Sequence, residues 1–218
     1  MCGRFALYSA YPKLARKAGL PSTDGHIAPR YNVPPGSWIT TVRRSSGDEP
    51  PETADIWWFY RPHWMKGKPR QYKNARWESV AKSGLWLSSL RKRRCLIPVD
   101  GWYEWDKNID PGEPYFLCRE DRELLMLAGI WAERDDGKPG VAIITEPARG
   151  LAEEIHHRMP LALDDESIEP WLDPDLSDRD VVRNVTQHID HRMLTKWRIH
   201  KTVNKASDKH GEELLNPA

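Results

Sequence analysis

Short apolar runs separated by turn residues dominate the hydrophobic pattern of this 218-residue chain. Many of the runs alternate apolar and polar positions, which is typical of strands with one buried face. The strands that this pattern predicts cover residues 4–8, 38–44, 52–60, 95–99, 101–106, 115–119, 124–128, 130–134, 141–145, 160–163 and 197–203. Asp-Pro-Gly and Asp-Asp-Gly turns favour hairpins between them. We therefore expect an α+β fold: a single domain with a curved, mostly antiparallel, barrel-like β-sheet and a few flanking helices.

Helix signals are fewer than strand signals. Ser9 is expected to cap a first helix that runs to about Ala18, with Gly19 in the left-handed conformation at its end and Pro21 just beyond. The other predicted helices cover residues 78–82, 85–93, 148–156, 166–172 and 178–188.

Three stretches are predicted to be irregular. Residues 29–36 contain three prolines, which fix φ and remove N–H donors, so we predict a rigid extended loop there. Residues 61–76 also contain Pro and Gly and are predicted to lack regular structure. We expect one domain over residues 1–206, followed by a loose C-terminal tail over residues 207–218.

Composition restricts the cellular compartments and the kinds of partner that we expect. The sequence has no apolar run of 18 residues and no signal-peptide pattern, so we expect a cytoplasmic protein that is neither secreted nor in a membrane. Its three cysteines form no close pair, which suits a reducing compartment. Net charge is only +1, but residues 56–99 hold eleven Lys and Arg against one acid, and residues 100–180 hold 22 acids against eight Lys and Arg. This asymmetry indicates one basic face, unless the charges intermix on folding.

Cys2 is the first chemical signal. Removal of Met1 would leave Cys2 with a free amine beside its thiol, a 1,2-aminothiol. An α-amine has a pKa of about 7.8, so roughly a third of it is neutral near pH 7.4. A neutral amine adds to carbonyl carbons, and the thiol can then close onto the imine to give a five-membered ring. The alternative is an accidental cysteine in a frayed terminus.

A stretch of interleaved aromatic and basic residues follows. Seven aromatics lie between Trp57 and Trp77, alternating with six Lys and Arg. Unpaired bases stack on aromatic faces while cations track phosphates, so the stretch predicts single-strand binding. For Trp57 and Phe59 we favour the alternative, core packing on a strand. Trp64 lies in a Pro-Gly loop and is predicted to be exposed and to contact a base.

Three further positions could carry proton chemistry or orient a substrate. Asn74 precedes a short helix, where its amide could orient an amine or a hydroxyl or simply cap a turn. Glu104 lies among large aromatics, and burial there would raise its pKa; alternatively it faces solvent. His157 could move protons at neutral pH, or could merely end a helix. Without any Cys-x-x-Cys pair we expect neither metal nor another cofactor.

Taken together, these residues resemble the SOS response-associated peptidase (SRAP) family of abasic-site processing proteins. The motifs that carry the resemblance are Cys2-Gly3-Arg4-Phe5, Arg30-Tyr31-Asn32-Val33-Pro34-Pro35, Asn74-Ala75-Arg76, Arg93-Arg94-Cys95-Leu96-Ile97-Pro98, Gly101-Trp102-Tyr103-Glu104-Trp105, Ile144-Thr145, His157-Arg158-Met159-Pro160 and Val203-Asn204.

The resemblance implies a covalent reaction with abasic sites in single-stranded DNA, or at junctions of single and double strands. Cys2 would form a thiazolidine with the ring-opened sugar, Asn74 would orient both, and Glu104 and His157 would shuttle protons. The implied DNA-binding residues are Arg4, Asn32, Trp64, Arg76, Trp105, Thr145 and Arg158. The resemblance further implies loss of Met1, by self-processing or otherwise, a competing strand-cleaving lyase reaction, and action as a monomer. It also implies association with the nucleoid or the replication fork.

The sequence departs from the family pattern at two places. Residues 58–62 read Trp-Phe-Tyr-Arg-Pro where the family usually has Trp-Gly-Leu-Ile-Pro, and residues 77–79 read Trp-Glu-Ser where it commonly has Ala-Glu-Thr. Both lie in the expected DNA-binding face. Two other functions stay open at this point: an N-terminal-nucleophile amidohydrolase of the glutamine amidotransferase kind, and a single-strand binding module without enzymatic activity.

Overall fold

The computed structural model describes residues 2–65, 70–106, 108–109, 112–206 and 211–218. Within them, the strands and α-helices are β1 (Phe5–Leu7), α1 (Tyr11–Ala18), β2 (Arg30–Val33), β3 (Trp38–Arg43), β4 (Glu52–Trp57), β5 (Asn74–Arg76), α2 (Trp77–Val80), α3 (Leu87–Lys92), β6 (Arg94–Val99), β7 (Gly101–Asp106), β8 (Glu113–Arg119), β9 (Leu125–Glu133), β10 (Pro139–Pro147), β11 (Arg158–Pro160), β12 (Ala162–Leu163), α4 (Asp165–Leu172), α5 (Arg179–Val185) and β13 (Leu194–Arg198). Short 3-10 helices cover Gly150–Ala152, His191–Met193, Lys201–Asn204 and Glu212–Leu215.

Five strands close into a barrel. β3 pairs with β4 and β6, β6 with β9, β9 with β10, and β10 returns to β4 through a parallel contact. Gly129 makes the close approach of β9 to β6 possible, because a Cβ there would lie 2.4 Å from Ile97 and 2.9 Å from the Cys95 sulfur. The curved, barrel-like sheet of an α+β domain is thus confirmed.

A second antiparallel sheet has the strand order β13-β8-β7-β1-β2. Successive side chains of its strands point to opposite faces. Phe5 and Trp102 join the large core that continues into the barrel, while Ala6 and Tyr103 join a smaller core on the other side. The sheet is therefore buried on both faces, which explains why its central strands read as nearly continuous apolar and aromatic runs.

Several predicted boundaries are wrong for identifiable reasons. α1 follows Ala10 and not a Ser9 cap, since the Ser9 hydroxyl and N–H both bond the buried Asp100 carboxylate. The left-handed Gly19 at its end is confirmed, with φ of 64°. The loop predicted over residues 29–36 contains β2, whose four pairing residues lie between the prolines. The two strands predicted over residues 124–134 are the single strand β9.

The helix predicted over residues 148–156 is also wrong. Only the 3-10 helix Gly150–Ala152 forms, and Gly150 itself has φ of 55°, which a regular right-handed helix cannot accommodate. The last predicted strand, residues 197–203, ends as β13 at Arg198 and is followed by the 3-10 helix Lys201–Asn204.

The C-terminal residues 211–218, expected to be loose, are packed. Leu214 is only 3% exposed and lies in the smaller core. The Trp197 indole donates to the Leu215 carbonyl at 2.7 Å, and the Ala218 N–H donates to the Arg198 carbonyl at 3.0 Å. Apolar burial and sheet-edge hydrogen bonds thus order this part of the tail, and residues 207–210 lie outside the described residues.

None of the helices in the described part of the chain is long and apolar enough to cross a membrane.

Two adjacent leucines test the packing of the C-terminal residues. Leu214→Ala empties a buried position and should lower the free energy of unfolding by about 2–4 kcal/mol. Leu215→Ala, at a partly buried position beside the same core, is the matched control and should cost clearly less. Urea unfolding followed by circular dichroism measures both; equal small losses would mean that residues 211–218 do not pack in solution.

Candidate active site around Cys2

Cys2 lies three residues before β1 and is completely buried. Burial, followed by the negative charge of Glu104, raises the pKa of its thiol to about 12, although a hydrogen bond from the Arg4 backbone N–H opposes the shift. The thiolate, not the thiol, is the strong nucleophile. At neutral pH the buried Cys2 sulfur therefore carries its proton and needs a base before it can attack.

Asn74 fixes the backbone at Cys2. It is the first residue of β5, which runs parallel to β10 with Asn74 opposite Ile143. The Asn74 Nδ2 donates to the Cys2 carbonyl oxygen at 2.9 Å. Its Oδ1 is buried and accepts no hydrogen bond from the described residues. An unsatisfied buried acceptor costs about 1–3 kcal/mol, so this oxygen is a ready partner for an amine or hydroxyl donor.

Glu104 is brought to Cys2 by the pairing of β1 with β7. Phe5 pairs with Trp102, and the Tyr103 N–H donates to the Arg4 carbonyl at 2.9 Å, so the same register continues toward Gly3 and Glu104. Glu104 is 5% exposed, which excludes the solvent-facing alternative. Its charge acts on the Cys2 thiol, as the raised pKa records. A buried carboxylate thus lies near enough to the thiol for its charge to act on it.

His157 lies at the surface, immediately before β11. Its ring stacks on that of His156, with centroids 4.3 Å apart, and its carbonyl accepts from Ala148 N–H at 3.1 Å. Because no helix ends at His157, the alternative role of this residue, a contact with a helix dipole, does not apply. β5 and β11 flank β10, where Thr145 pairs with Arg76 and with Pro160. Asn74 itself lies opposite Ile143 and His157 beside Ala148, so the pairing places these two residues at different points along β10.

Thr145 and Arg158 are buried and link the strands β5, β10 and β11. Arg158 Nη2 donates to the Thr145 carbonyl at 2.6 Å and to Glu78 Oε2 at 3.0 Å, and the Thr145 hydroxyl donates to the Ala75 carbonyl at 3.3 Å. The Arg158 guanidinium in turn lowers the pKa of Glu78. Both side chains lie behind the surface and are occupied by protein partners, so they support the strands that present Arg76.

Arg4 is held by neutral acceptors. Its Nη1 donates to Asn32 Oδ1 at 2.6 Å and to the Val203 carbonyl at 3.0 Å. Among the described residues no carboxylate pairs with Arg4, and its buried Nε has no hydrogen-bond partner there. Asn32 is itself buried. Within the described residues the Arg4 guanidinium thus has only uncharged hydrogen-bond partners, and Asn32 serves to hold it.

The predicted stacking residues differ in their surroundings. Trp64 is 52% exposed, in a turn in which Met65 N–H donates to the Pro62 carbonyl. Trp105 is half-buried, and its indole Nε1 donates to Asn204 Oδ1 at 2.7 Å. Arg76 is exposed at the end of β5. Lys66 and Lys68, two of the predicted cations of this stretch, lie outside the described residues.

The sequence did not single out Glu146, which the structure places beside this site. It follows Thr145 on β10, pairs with Met159 and is 5% exposed. Arg149 bonds it at 2.7 Å and His188 lies 3.4 Å away. Burial raises its pKa from 4.5 to about 7, despite the opposing charges of Arg149 and Arg158. Its one sequence signal is a lone acid at the end of the apolar run of β10.

Within the described residues no group of three His, Cys, Asp or Glu side chains is arranged to hold a metal ion.

The chain belongs to the SOS response associated peptidase (SRAP) family, whose model matches residues 1–206. It is 32% identical over 227 residues to abasic site processing protein YedK of Escherichia coli (strain K12), with 100% of both chains covered. It is 30% identical over 222 residues to abasic site processing protein YoqW of Bacillus subtilis (strain 168), covering 97% of this chain and 98% of YoqW.

Solved structures agree on the fold. A protein from Bacteroides thetaiotaomicron superimposes with a TM-score of 0.83 at 21% identity, over 100% of both chains. A phage-related protein from Bordetella bronchiseptica gives a TM-score of 0.74 at 28% identity, over 92% of this chain and 95% of that one.

The raised pKa of Glu146 has a measurable consequence. Between pH 4.5 and 7 the folded protein keeps a proton that the unfolded chain has lost, so this residue makes stability fall as pH rises through that window. Glu146→Gln stays neutral and removes this dependence. The free energy of unfolding of Glu146→Gln minus that of wild type should therefore grow by on the order of 3 kcal/mol between pH 4.5 and 7.5.

Urea unfolding at both pH values provides the comparison. The exposed Glu153, changed to Gln, is the control and should alter little at either pH. Parallel pH dependences for wild type and Glu146→Gln would show that Glu146 is ionised normally in the fold.

Proposed function

We propose that this protein senses abasic sites in single-stranded DNA and crosslinks to them through Cys2 as a thiazolidine, which protects the site from cleavage. The observation that carries the proposal is the Cys2 environment: a buried thiol under the charge of a buried Glu104, on a backbone held by Asn74. The names of YedK and YoqW, both abasic site processing proteins, support the same substrate.

The first step uses the amine that loss of Met1 would create. This amine attacks C1′ of the ring-opened deoxyribose aldehyde, and the adduct loses water to give an imine. Asn74 Oδ1, a buried acceptor, suits an N–H of the attacking amine or a sugar hydroxyl. His157, exposed to solvent, suits delivery of the proton that leaves with the hydroxyl as water.

The second step closes the ring. The Cys2 sulfur bonds to the imine carbon, and the thiol proton ends on the imine nitrogen. Since the thiol pKa is about 12 while it is buried, a carrier must take this proton during attack, and our candidate is Glu104, the buried carboxylate whose charge acts on the thiol. The sum is aldehyde plus aminothiol giving thiazolidine and one water. The raised thiol pKa favours this order, with the amine reacting first.

Two further activities belong to the proposal. Until the ring closes, the imine permits elimination of the 3′ phosphate and cleavage of the strand, so a lyase reaction competes with crosslinking. Removal of Met1 is hydrolysis of its peptide bond, with the same side chains as candidates for self-processing. Ring closure consumes the imine and thereby suppresses the lyase route.

Contact with DNA is assigned to two kinds of residue. Arg4 and Arg76 suit phosphates, since each carries a charge at the site, and Trp64 and Trp105 suit stacking on bases. The three buried residues named for DNA binding contribute through what they hold: Asn32 holds Arg4, while Thr145 and Arg158 hold the strand that presents Arg76.

Covalent capture is the direct test. Protein confirmed by intact mass to begin at Cys2 should give a heat-stable shifted band on a denaturing gel with single-stranded DNA that carries one abasic site. Cys2→Ser should lose the heat-stable band and give at most a borohydride-trapped imine. An extra N-terminal residue should abolish both.

The other outcomes separate the alternatives. If the protein that begins at Cys2 forms no covalent species, crosslinking is wrong. Glutamine hydrolysis would then favour an amidohydrolase. Reversible single-strand binding that is unaffected by Cys2→Ala would favour a binding module.

Two exposed tryptophans test base stacking. Trp64→Ala should weaken binding to single-stranded DNA by about 1–3 kcal/mol, roughly five- to 150-fold, because a stacking platform is lost. Trp38, 40% exposed, is the matched control, since its ring already packs against Trp57 and Lys138. Fluorescence anisotropy with a labelled oligonucleotide measures both; equal losses, or none, would remove Trp64 from the DNA-binding face.

A further inference from the structure

Residues 200–205, here called the C-terminal brace, contact the site from the far end of the chain. His200 accepts from the Thr202 N–H and starts the 3-10 helix Lys201–Asn204, and Val203 is fully buried in the smaller core. The packed residues 211–218 fix the strand that leads into the brace. The brace is therefore a rigid element and not a surface loop.

One side of the brace sets the position of Arg4. The Val203 carbonyl accepts from Arg4 Nη1 at 3.0 Å and from Asn32 Nδ2 at 3.2 Å, and the Lys205 carbonyl accepts from Asn32 Nδ2 at 3.0 Å. All these partners are uncharged, so they orient the guanidinium without neutralising it. Backbone carbonyls suit this task because they leave the positive charge of Arg4 for an anion.

The other side of the brace sets the position of Trp105. Asn204 is exposed, yet its Oδ1 accepts from the Trp105 indole Nε1 at 2.7 Å. Trp105 is only half-buried, at the solvent end of β7 beyond Glu104, and its side chain packs against the smaller core. The hydrogen bond to the indole N–H holds the ring in this orientation and leaves its exposed part available.

We propose that Asn204 is a positioning residue for nucleic-acid binding, which acts by fixing the Trp105 ring as a platform for a base next to the lesion. This inference rests on the proposed function for its ligand, single-stranded DNA. In the same C-terminal brace, the Val203 and Lys205 carbonyls on either side of Asn204 hold Arg4 and Asn32, and Arg4 is the proposed phosphate-binding residue. One 3-10 turn thus sets the spacing between a base contact and a phosphate contact.

A double-mutant cycle tests the inference. The variants are Asn204→Ala, Trp105→Phe, which keeps a ring but loses the N–H donor, and the two combined. Binding is measured by anisotropy with single-stranded DNA that carries a tetrahydrofuran abasic analogue, which has no aldehyde and cannot react with Cys2. Each single variant should bind about three- to tenfold more weakly, the range expected for loss of one hydrogen bond.

Non-additivity is the decisive readout. If Asn204 acts through Trp105, the combined variant should bind DNA no more weakly than whichever single variant has the lower affinity. Asn184→Ala, at an exposed asparagine of α5, is the matched control and should bind like wild type. Unchanged binding by Asn204→Ala, or losses that multiply in the combined variant, would overturn the inference, provided that thermal unfolding shows each variant to be folded.

The reactive substrate separates this inference from the proposed function. On DNA with a true abasic site, crosslinking by wild type tests the function. With the unreactive analogue, the cycle tests Asn204 whether or not a crosslink forms. Below saturation, Asn204→Ala should crosslink about three- to tenfold more slowly than wild type, in proportion to its weaker binding, whereas the control Asn184→Ala should crosslink like wild type. An Asn204→Ala variant that crosslinks as fast as wild type below saturation would count against the inference.

Discussion

Pairing of β1 along both of its edges is the constraint on which the rest of the structure depends. Phe5 pairs with Val33 of β2 on one side and with Trp102 of β7 on the other. Chain termini normally fray unless they are tied down. Here the pairing holds the segment that carries the buried Cys2, three residues before the strand, brings β7 with Glu104 alongside, and leaves Arg4 within reach of Asn32.

The local parts of this arrangement could be read from the sequence, and the long-range parts could not. The α+β class and β7 follow from short patterns of apolar and aromatic residues, which leave both a buried and a solvent-facing position open for Glu104. The hydrogen bond from Asn74 to Cys2 joins residues 72 positions apart, and that from Trp105 to Asn204 joins residues 99 apart. No periodicity encodes such pairs. The missing helix after β10 shows the same limit, since Gly150 adopts its left-handed conformation against His191 of a distant segment.

Charge asymmetry along the chain proved to be a weaker guide than the contacts of individual residues. Within the basic run of residues 91–94, Arg94 is buried and donates to the carbonyls of Trp171 and Leu90, while Arg91 donates to the Ser177 carbonyl. These cations hold helices against the barrel. Arg4, which comes from outside that run, also has uncharged partners but is only half-buried, whereas Arg94 is buried. An arginine can bind a phosphate only if part of its guanidinium is exposed and not already hydrogen-bonded within the fold.

The hydrogen bond between Arg4 and Val203 spans 199 positions, nearly the whole chain, and this has a consequence for biosynthesis. A ribosome releases the N-terminus first, so Cys2 emerges long before β7 and the C-terminal brace exist. Throughout that interval the thiol is exposed and lacks both Glu104 and a positioned Arg4. Cys2 is thus made first and its surroundings last: a partly synthesised chain carries Cys2 without Glu104 and Arg4 in place, and only a completed chain brings all three residues into their native positions.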